Sequence, residues 1–267
     1  MADRMAALRR VRIVLVEPAG PRNVGAIARV MKNMGLQQLV LVNPQCDPLG
    51  EEARLMAVRG SDRLESAQIV ATIPEALQGC RRVIATTGRE QTALNIPLEP
   101  PRACLPWLLA EPDSDTALIF GREDRGLSNE ELNLAQRLLY IPAEAEYESL
   151  NLAQATGLCC YELRMACLEP RVEQGQDRLE QMPGVQGGAI APHDQREGFY
   201  RDLEALLLRV GYLYPHTAPS RMEKMRQILN RAYPSAKEVA MLRGVVSQVT
   251  WALGRSPSPP NASPKQE

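Results

Sequence analysis

Five short segments of this sequence are almost entirely apolar and rich in β-branched residues, and each is followed by a helical pattern. A strand that is buried on both faces has this composition, whereas a strand with one face exposed to solvent alternates apolar and polar residues. Strands that alternate with helices predict an α/β fold with a mostly parallel sheet. The predicted strands are 11–16, 39–42, 82–85, 117–120 and 138–141.

Helical periodicity fills the spaces between these strands. Ser128 followed by Glu131 forms a capping box, which predicts the start of the fifth helix. The predicted helices of this part are 24–34, 51–59, 73–78, 103–110, 129–136 and 151–168. We therefore assign residues 1–168 to one catalytic domain.

The character of the chain changes after this domain. Residues 169–194 are rich in Pro, Gly and Gln, which predicts a flexible linker. Residues 195–253 contain three helical patterns, at 196–210, 221–232 and 236–253, and residues 254–267 form a Pro/Ser-rich tail that we expect to be disordered.

The third segment, 195–253, is basic although the whole chain has a net charge of −1. A nucleic-acid surface, if there is one, must therefore be local. The low aromatic content, 4%, argues against RNA binding through stacking platforms. The basic residues here and just beyond are Arg196, Arg201, Arg209, Arg221, Lys224, Arg226, Arg231, Lys237, Arg243 and Arg255.

Other classes of protein are disfavoured by what the sequence lacks. Its six cysteines include no C-x-x-C pair and it has only two histidines, which argues against a disulfide scaffold and a zinc site. No apolar run approaches the ~18 residues of a membrane span, and the N-terminus has no signal-peptide core. We expect a reduced, cytoplasmic protein without a metal.

Polar clusters follow four of the predicted strands. In open parallel sheets, ligands bind beyond the carboxyl ends of the strands, so these loops predict one composite pocket. Polar loops are also ordinary at these positions, and that alternative stays open on this observation alone. The clusters are EPAGPRNVG at 17–25, TTGR at 86–89, GREDRG at 121–126 and ESLN at 148–151.

Several common cofactor and nucleophile motifs are missing. The first strand is not followed by G-x-G-x-x-G, and Asn43 stands where a dinucleotide site has an acidic residue. There is no phosphate-binding loop ending in GK[ST] and no G-x-S-x-G elbow. An ordinary dinucleotide, ATPase or serine-hydrolase site is therefore disfavoured.

Single residues in these loops have two interpretations each. Asn23 can cap the first predicted helix, and Arg29 near that terminus suits an RNA phosphate, but it is also compatible with a solvated helix arginine. Glu123 is compatible with a ligand contact or with a hydrated loop, and Ser149 and Asn151 with ordinary helix-start residues.

Three segments taken together resemble the SpoU/TrmH group of SPOUT RNA 2′-O-methyltransferases. They are RNVGAIAR at 22–29, ALIFGREDRGLSNEE at 117–131 and SLNLA at 149–153. The segments VRIVLVE at 11–17, MKNMGL at 31–36 and LVNP at 41–44 resemble the TrmJ subfamily, as do MRQILNR at 225–231 and LRG at 242–244. The resemblance covers roughly residues 10–250.

The resemblance implies a SPOUT-type parallel sheet with a C-terminal trefoil knot, a homodimer with the site at its interface, and S-adenosylmethionine as cofactor. Arg29 is then expected to engage the target ribose and phosphate, with Asn23, Glu123 and Asn151 holding that arrangement. The residues expected to bind the cofactor are Thr86, Thr87, Gly88, Gly121, Ile141, Glu148, Ser149 and Leu150.

The implied activity is 2′-O-methylation of cytidine or uridine at position 32 of the tRNA anticodon loop. Alternatives are another tRNA or rRNA site, a non-catalytic RNA-binding relative, and a different α/β transferase with a small-molecule acceptor. Because arginine stays charged, we expect Arg29 to position the 2′-hydroxyl and stabilise negative charge rather than act as a base. The basic C-terminal helices are expected to grip tRNA phosphates, with dimer packing or a lid as the alternative.

Overall fold

Seven strands form one parallel sheet in the computed structural model, which describes residues 2–88, 94, 96–144, 146, 149–168 and 189–255. Numbered along the chain, the strands are β1 Val11–Val16, β2 Gln38–Val42, β3 Gln68–Val70, β4 Arg82–Thr87, β5 Leu98–Glu99, β6 Thr116–Phe120 and β7 Arg137–Tyr140. Their order in the sheet is β3-β2-β1-β6-β4-β7-β5. The predicted parallel α/β sheet is confirmed.

The helices lie between the strands and after the last one. They are α1 Ala2–Arg10, α2 Pro21–Met34, α3 Glu51–Ala57, α4 Ser61–Glu65, α5 Ile73–Ala76, α6 Pro101–Cys104, α7 Asn129–Leu132, α8 Leu152–Leu168, α9 His193–Arg209, α10 Ala218–Ala232 and α11 Ala236–Arg255. Two 3₁₀ turns, Val58–Gly60 and Leu105–Leu109, continue α3 and α6. None of these described helices is long and apolar enough to cross a membrane.

The start of α2 corrects one expectation. The helix begins at Pro21 with Gly20 as its N-cap, so the prediction that Asn23 caps it is wrong. Proline is favoured in the first turn because its missing N–H would have no partner there. The Asn23 side chain is thereby left available for other contacts. At α7 the predicted capping box of Ser128 and Glu131 is confirmed.

Both faces of the sheet are buried, which explains the apolar strands. In β1, Ile13 and Leu15 pack on one side against α2, α3 and α8, whereas Val14 and Val16 pack on the other side against α5 and α7. Successive residues of a strand point to opposite faces, so the middle of a doubly covered strand is apolar at every position, and polar residues such as Arg12, Arg82 and Thr116 stand near the strand starts. The sheet therefore positions the ends of its strands rigidly.

Helices α9 to α11 form a separate apolar cluster. They pack against the sheet at the amino-terminal ends of its strands. The backbone N–H of His193 donates to the carbonyl of Cys80, just before β4, at 2.9 Å, and the rings of Trp107 and Tyr233 meet edge to face. Helix α9 begins at His193 rather than at residue 196 as predicted. Most of the predicted linker, 169–188, and the tail from residue 256 lie outside the described residues.

Candidate active site

A cavity of about 370 Å³ opens at the carboxyl ends of β4, β6 and β7. Its walls combine backbone-rich loops with apolar side chains, a composition typical of small-molecule sites. The lining residues are Thr86, Thr87, Gly88, Phe120, Gly121, Arg122, Glu123, Asp124, Arg125, Gly126, Leu127, Ile141, Ser149, Leu150, Leu152 and Ala155.

Most of the residues expected to bind a cofactor line this cavity. They are Thr86, Thr87, Gly88, Gly121, Ile141, Ser149 and Leu150, whereas Glu148 lies outside the described residues. The apolar wall made by Leu127, Leu152 and Ala155 was not predicted. These three residues belong to the segments already singled out, but a sequence does not indicate which side of a loop or helix faces a cavity.

Two glycines leave the backbone bare toward the cavity. No described atom lies within 4 Å of the place where a Cβ of Gly88 or Gly126 would stand. Gly126 also has a φ of +68°, in the left-handed region that favours glycine. A ligand can therefore approach the main chain of both loops closely.

A chain of hydrogen bonds connects the three polar segments beside this cavity. The Asn151 amide donates to Oδ1 of Asn23 at 3.0 Å, and the Asn23 amide donates to Oε1 of Glu123 at 3.0 Å. Asn23 lies on α2, Glu123 follows β6, and Asn151 precedes α8. The structure thus brings together three of the four residues predicted to be catalytic.

Glu123 accepts three hydrogen bonds. Besides Asn23, the backbone N–H groups of Ala19 and Gly20 donate to its carboxylate, each at 3.0 Å. Partial burial acts to raise the pKa of Glu123, but the hydrogen bonds from Asn23, Ala19 and Gly20 favour the ionised form and hold the pKa below its usual value. Glu123 is therefore ionised, and its carboxylate holds the loop before α2 through the N–H groups of Ala19 and Gly20.

Asn151 has two functions at once. Its Oδ1 accepts from the backbone N–H of Ala153 at 2.9 Å and of Gln154 at 3.3 Å, so it caps α8. Its amide is then directed at Asn23. The helix-cap interpretation of Asn151 is confirmed, and the same side chain also joins the hydrogen-bonded chain beside the cavity.

Arg29 is not part of this cluster. It lies on the exposed outer side of α2, does not line the cavity, and has no hydrogen-bond or ion-pair partner among the described residues. It follows Asn23 by six residues, which at about 100° per residue places it on a different side of the helix. Within one chain, Arg29 and the cavity are therefore separate.

Glu17 is a neighbour of the site that the sequence did not single out as a functional residue. It follows β1 with a φ of +48°, and Asn43 follows β2 with a φ of +44°. Non-glycine residues rarely adopt this conformation, which persists only where the surroundings hold it. The Glu17 carboxylate accepts a hydrogen bond from Arg125 at 3.2 Å and lies 3.7 Å from Arg122. Both arginines belong to the cavity wall.

Burial raises the pKa of all six cysteines, including the partly exposed Cys46, whose pKa is also raised by the charge of Glu123. All six cysteines are free, and burial raises the pKa of Cys80 and Cys160 to about 12, so these thiols stay protonated at neutral pH. Among the described residues, no group of three or more His, Cys, Asp or Glu side chains could hold a metal ion.

Comparison with known proteins agrees with this geometry. The model of the SpoU rRNA methylase family matches residues 10–161, a range that contains all three polar segments. The chain belongs to the SpoU methylase family. A second model, that of the C-terminal domain of the tRNA methyltransferase TrmJ, matches residues 194–260, which include α10 and α11 and nearly all of α9.

Individual relatives are similar over nearly the whole chain. One is the tRNA (cytidine/uridine-2′-O-)-methyltransferase TrmJ of Pectobacterium atrosepticum, which is 40% identical over 91% of this chain and 97% of its own length. The tRNA (cytidine/uridine/adenosine-2′-O-)-methyltransferase TrmJ of Pseudomonas aeruginosa is 38% identical over 90% and 94%. The crystal structure of TrmJ from Z. mobilis matches with a TM-score of 0.76 and 30% identity, over 90% of this chain and 98% of that one. The family resemblance seen in the sequence is confirmed.

Proposed function

We propose that this chain transfers the methyl group of S-adenosylmethionine to the ribose 2′-hydroxyl of cytidine or uridine in tRNA, at position 32 of the anticodon loop. The observation that carries the proposal is the hydrogen-bonded chain Asn151–Asn23–Glu123 beside the cavity, because it joins the three segments that carry the family resemblance, all within the range that the family model matches. The tRNA specificity follows from the TrmJ relatives, which align over nearly the whole chain.

The cavity residues fit S-adenosylmethionine. The volume of about 370 Å³ suits a nucleoside with an amino-acid tail. Bare backbone at Gly88 and Gly126 and the hydroxyl of Ser149 offer donors and acceptors for its polar groups. The Thr86 hydroxyl donates to the carbonyl of Ile119 at 3.0 Å and can still accept, and Thr87 lies beside it in the cavity wall. Leu127, Leu152 and Ala155 provide the apolar wall, and Gly121, Ile141, Glu148 and Leu150 complete the proposed binding set.

Once bound, S-adenosylmethionine supplies a methyl group already activated by the sulfonium charge, so the chain's own residues have mainly to orient the acceptor. Arg29 binds the target phosphate and ribose, and its fixed charge stabilises the negative charge that develops on the 2′-oxygen as the RNA phosphate takes up the hydroxyl proton. Asn23, Glu123 and Asn151 hold the start of α2 against the cavity, so that this geometry is set before RNA binds.

We further propose a homodimer in which Arg29 of one protomer serves the cavity of the other. Arg29 is exposed, without a partner among the described residues, and separate from the cavity of its own chain. The helices packed against α2 carry exposed apolar side chains, a feature that marks protein interfaces. These residues are Leu55, Met56 and Val58 on α3 and the turn after it, and Leu158 and Tyr161 on α8.

The trefoil knot belongs to the same proposal. Strand β7, the last of the described strands, lies between β4 and β5, which both precede it in sequence. The proposal of a knot rests on the family to which the chain belongs, and this strand order is compatible with it. With tRNA as substrate, we propose that the protein acts in the cytoplasm.

The test is ribose-methylation mapping of an unmodified tRNA transcript incubated with the protein and labelled S-adenosylmethionine. Wild type is expected to methylate position 32. Arg29→Ala is expected to lose about 10²-fold or more in turnover, as for other groups that stabilise transition-state charge. Turnover of Arg29→Ala equal to that of wild type on bound RNA would contradict the proposed role of Arg29, and no methylation of any tRNA by wild type would contradict the function.

A mixing experiment tests the shared site. Gly88 lines the cavity and no described atom lies within 4 Å of an added Cβ, so Gly88→Phe is expected to block the cavity, whereas Arg29→Ala leaves it intact. In a mixed dimer, one of the two sites has both defects and the other has none. Denaturing and refolding the two variants together should therefore restore up to about a quarter of the wild-type sites. Absence of any restoration, with mixed dimers present, would show that Arg29 acts within its own chain.

A further inference from the structure

The loop between α9 and α10, residues 210–217, presents aromatic rings to solvent. Tyr212 and Tyr214 are 53% and 56% exposed, although large aromatic side chains are normally mostly buried. The ring of Tyr214 stacks on that of the exposed His216, with centroids 6.0 Å apart and planes 22° apart. These three rings occur within five residues.

The loop is held in place by its own backbone and by one buried side chain. The N–H groups of Tyr212 and Leu213 both donate to the carbonyl of Leu207 at 3.0 Å, and Leu213 is buried in the apolar cluster of α9 to α11. At the other end, Thr217 bonds to both the N–H and the carbonyl of Tyr214. With Leu213 directed inward, the two tyrosines on either side are directed outward from a fixed main chain.

Basic side chains surround the rings. The guanidinium of Arg221 lies over the ring of Tyr212, 5.6 Å from its centroid, and also donates to the Tyr212 carbonyl at 3.2 Å. Residues 209–224 contain Arg209, Arg221 and Lys224, all exposed, against a single carboxylate, Glu223. The loop therefore combines open ring faces with a net positive charge.

We propose that this aromatic loop, residues 210–217, is a stacking platform for unpaired bases of the tRNA substrate, with Arg209, Arg221 and Lys224 contacting the adjacent phosphates. The inference rests on the proposed function, because it takes tRNA as the partner. Aromatic faces bind any unpaired base by stacking, and nearby cations neutralise the backbone that carries it. A low overall aromatic content does not exclude such a platform, since two or three rings in one loop suffice.

A fixed platform has a physical advantage over a flexible one. Tyr212 and Tyr214 lose little main-chain freedom when a base stacks on them, because hydrogen bonds already hold the loop. Arg221 covers one face of Tyr212, so an incoming base has the opposite face available. A protein partner would be expected to meet an apolar patch, whereas this loop is rimmed by cations.

The test uses the full-length protein and a fluorescently labelled, unmodified tRNA transcript, with Kd measured by anisotropy over a series of salt concentrations. Loss of one stacked base weakens binding by about 5- to 100-fold, which is the expected effect of Tyr214→Ala. Tyr214→Phe keeps the ring and should stay within about twofold of wild type. Tyr214→Ala should leave the slope of log Kd against log salt unchanged, whereas Arg221→Ala should reduce it by about one.

Met241→Ala is the matched control, because Met241 is an equally exposed apolar side chain of the same unit, on α11. It should bind tRNA like wild type. A fully paired, blunt-ended RNA duplex of equal length, which has no unpaired bases, should bind wild type and Tyr214→Ala alike. Wild-type tRNA affinity of Tyr214→Ala would overturn the inference, and so would a change of its oligomeric state in light scattering, which would make the loop a protein contact. Either of these two results would overturn the stacking inference alone. The proposed function would still stand as long as wild type methylates tRNA.

Discussion

Asn23 is the residue on which the site network depends, because both halves of its amide are used. Its Oδ1 accepts from Asn151 and its Nδ2 donates to Glu123. No other side chain of this length both accepts and donates in this way. An aspartate has the same shape but cannot donate, so it separates the role of the hydrogen bond from that of packing.

We expect Asn23→Asp to reduce kcat by about 10- to 100-fold, since a hydrogen bond to a charged group contributes about 1.5–3 kcal/mol. The new carboxylate would also face Glu123 at hydrogen-bond distance. The measurement is kcat and KM on a tRNA transcript, together with thermal unfolding. Asn129→Asp, at the exposed start of α7, is the control and should behave like wild type.

The pH dependence of this variant has a definite sign. The pKa of Glu123 lies below its ordinary value of 4.5, so its stabilising contacts are complete above that pH and are lost as the pH falls through the folded-state pKa. In Asn23→Asp the two carboxylates repel when both are ionised, and one proton can bridge them. The difference in Tm from wild type should therefore shrink as the pH is lowered toward 4.5. A constant difference would contradict this account.

How much of the site was predictable differs from residue to residue. Asn23, Glu123 and Asn151 were identified from the sequence because each belongs to a motif at a strand or helix end. The bonds between them were not, since they join residues 100 and 128 positions apart. The separation of Arg29 from the cavity was also unpredictable, because it depends on the side of α2 that faces the loops. Glu17 carries no motif of its own, and its left-handed backbone is visible only in the structure.

At the scale of elements, the contact between α2 and α3 is unusually close. A Cβ added at Gly25 would stand 2.1 Å from the carbonyl oxygen of Ala53 and 2.9 Å from the Cβ of Met56. Neither helix can move away easily, because Val24 and Ile27 on one and Ala57 on the other are packed into the core. The glycine of the first motif is therefore explained by helix packing beside the site.

Gly25→Ala should destabilise the protein by about 1–3 kcal/mol or more, the usual range for overpacking a core. It should also reduce activity, since α2 carries both Asn23 and Arg29. Gly244→Ala is the matched control: among the described residues, no atom beyond the backbone of its own helix lies within 4 Å of its added Cβ, so in α11 it should leave stability unchanged or raise it by up to about 1 kcal/mol. Urea unfolding of both variants decides the matter. Equal stabilities would show that α2 and α3 can move apart.

Secondary-structure elements could be located from the sequence where both of their faces are buried. The five apolar strands were located to within two residues at each end, because burial on two faces leaves a continuous apolar run. The edge strands β3 and β5 were missed, since β3 is largely exposed and β5 has only two residues. The helix α1 was missed because its arginines resemble a charged terminus rather than a helix face.

At the scale of the whole molecule, the C-terminal unit is attached to the sheet through buried polar groups. Asn230 on α10 donates to the carbonyl of Asn133 and accepts from Tyr200 and the buried Arg196. The neighbouring Arg226 pairs with Glu197 and lies over the ring of Tyr200. Polar contacts of this kind fix orientation, because a shifted interface would leave buried donors without acceptors. The aromatic loop between α9 and α10 is thereby held at a defined place relative to the cavity.

His193 makes this junction sensitive to pH. It starts α9 in a buried position beside Cys80, and burial, reinforced by the nearby Arg196 and Arg226, lowers its pKa from 6.5 to about 3. The unfolded chain takes up a proton near pH 6.5 whereas the folded chain does not until about pH 3, so stability falls as the pH drops through this window. The slope approaches 1.36 kcal/mol per pH unit, or about 2 kcal/mol between pH 6.5 and 5.

Unfolding free energies measured in urea from pH 7.5 to 5 should therefore decline for wild type and stay nearly level for His193→Gln. The carboxyl groups titrate mostly below this range, and because Glu123 and its neighbours are the same in both proteins, their contribution cancels in the comparison. His193→Gln will be less stable than wild type at pH 7.5 because its packing is altered, and only the slope is diagnostic. His216→Gln, at the other histidine of the chain, is the control, and since that side chain is exposed it should keep the wild-type slope. Parallel curves for wild type and His193→Gln would mean that His193 is protonated in the folded protein and that the junction tolerates the charge.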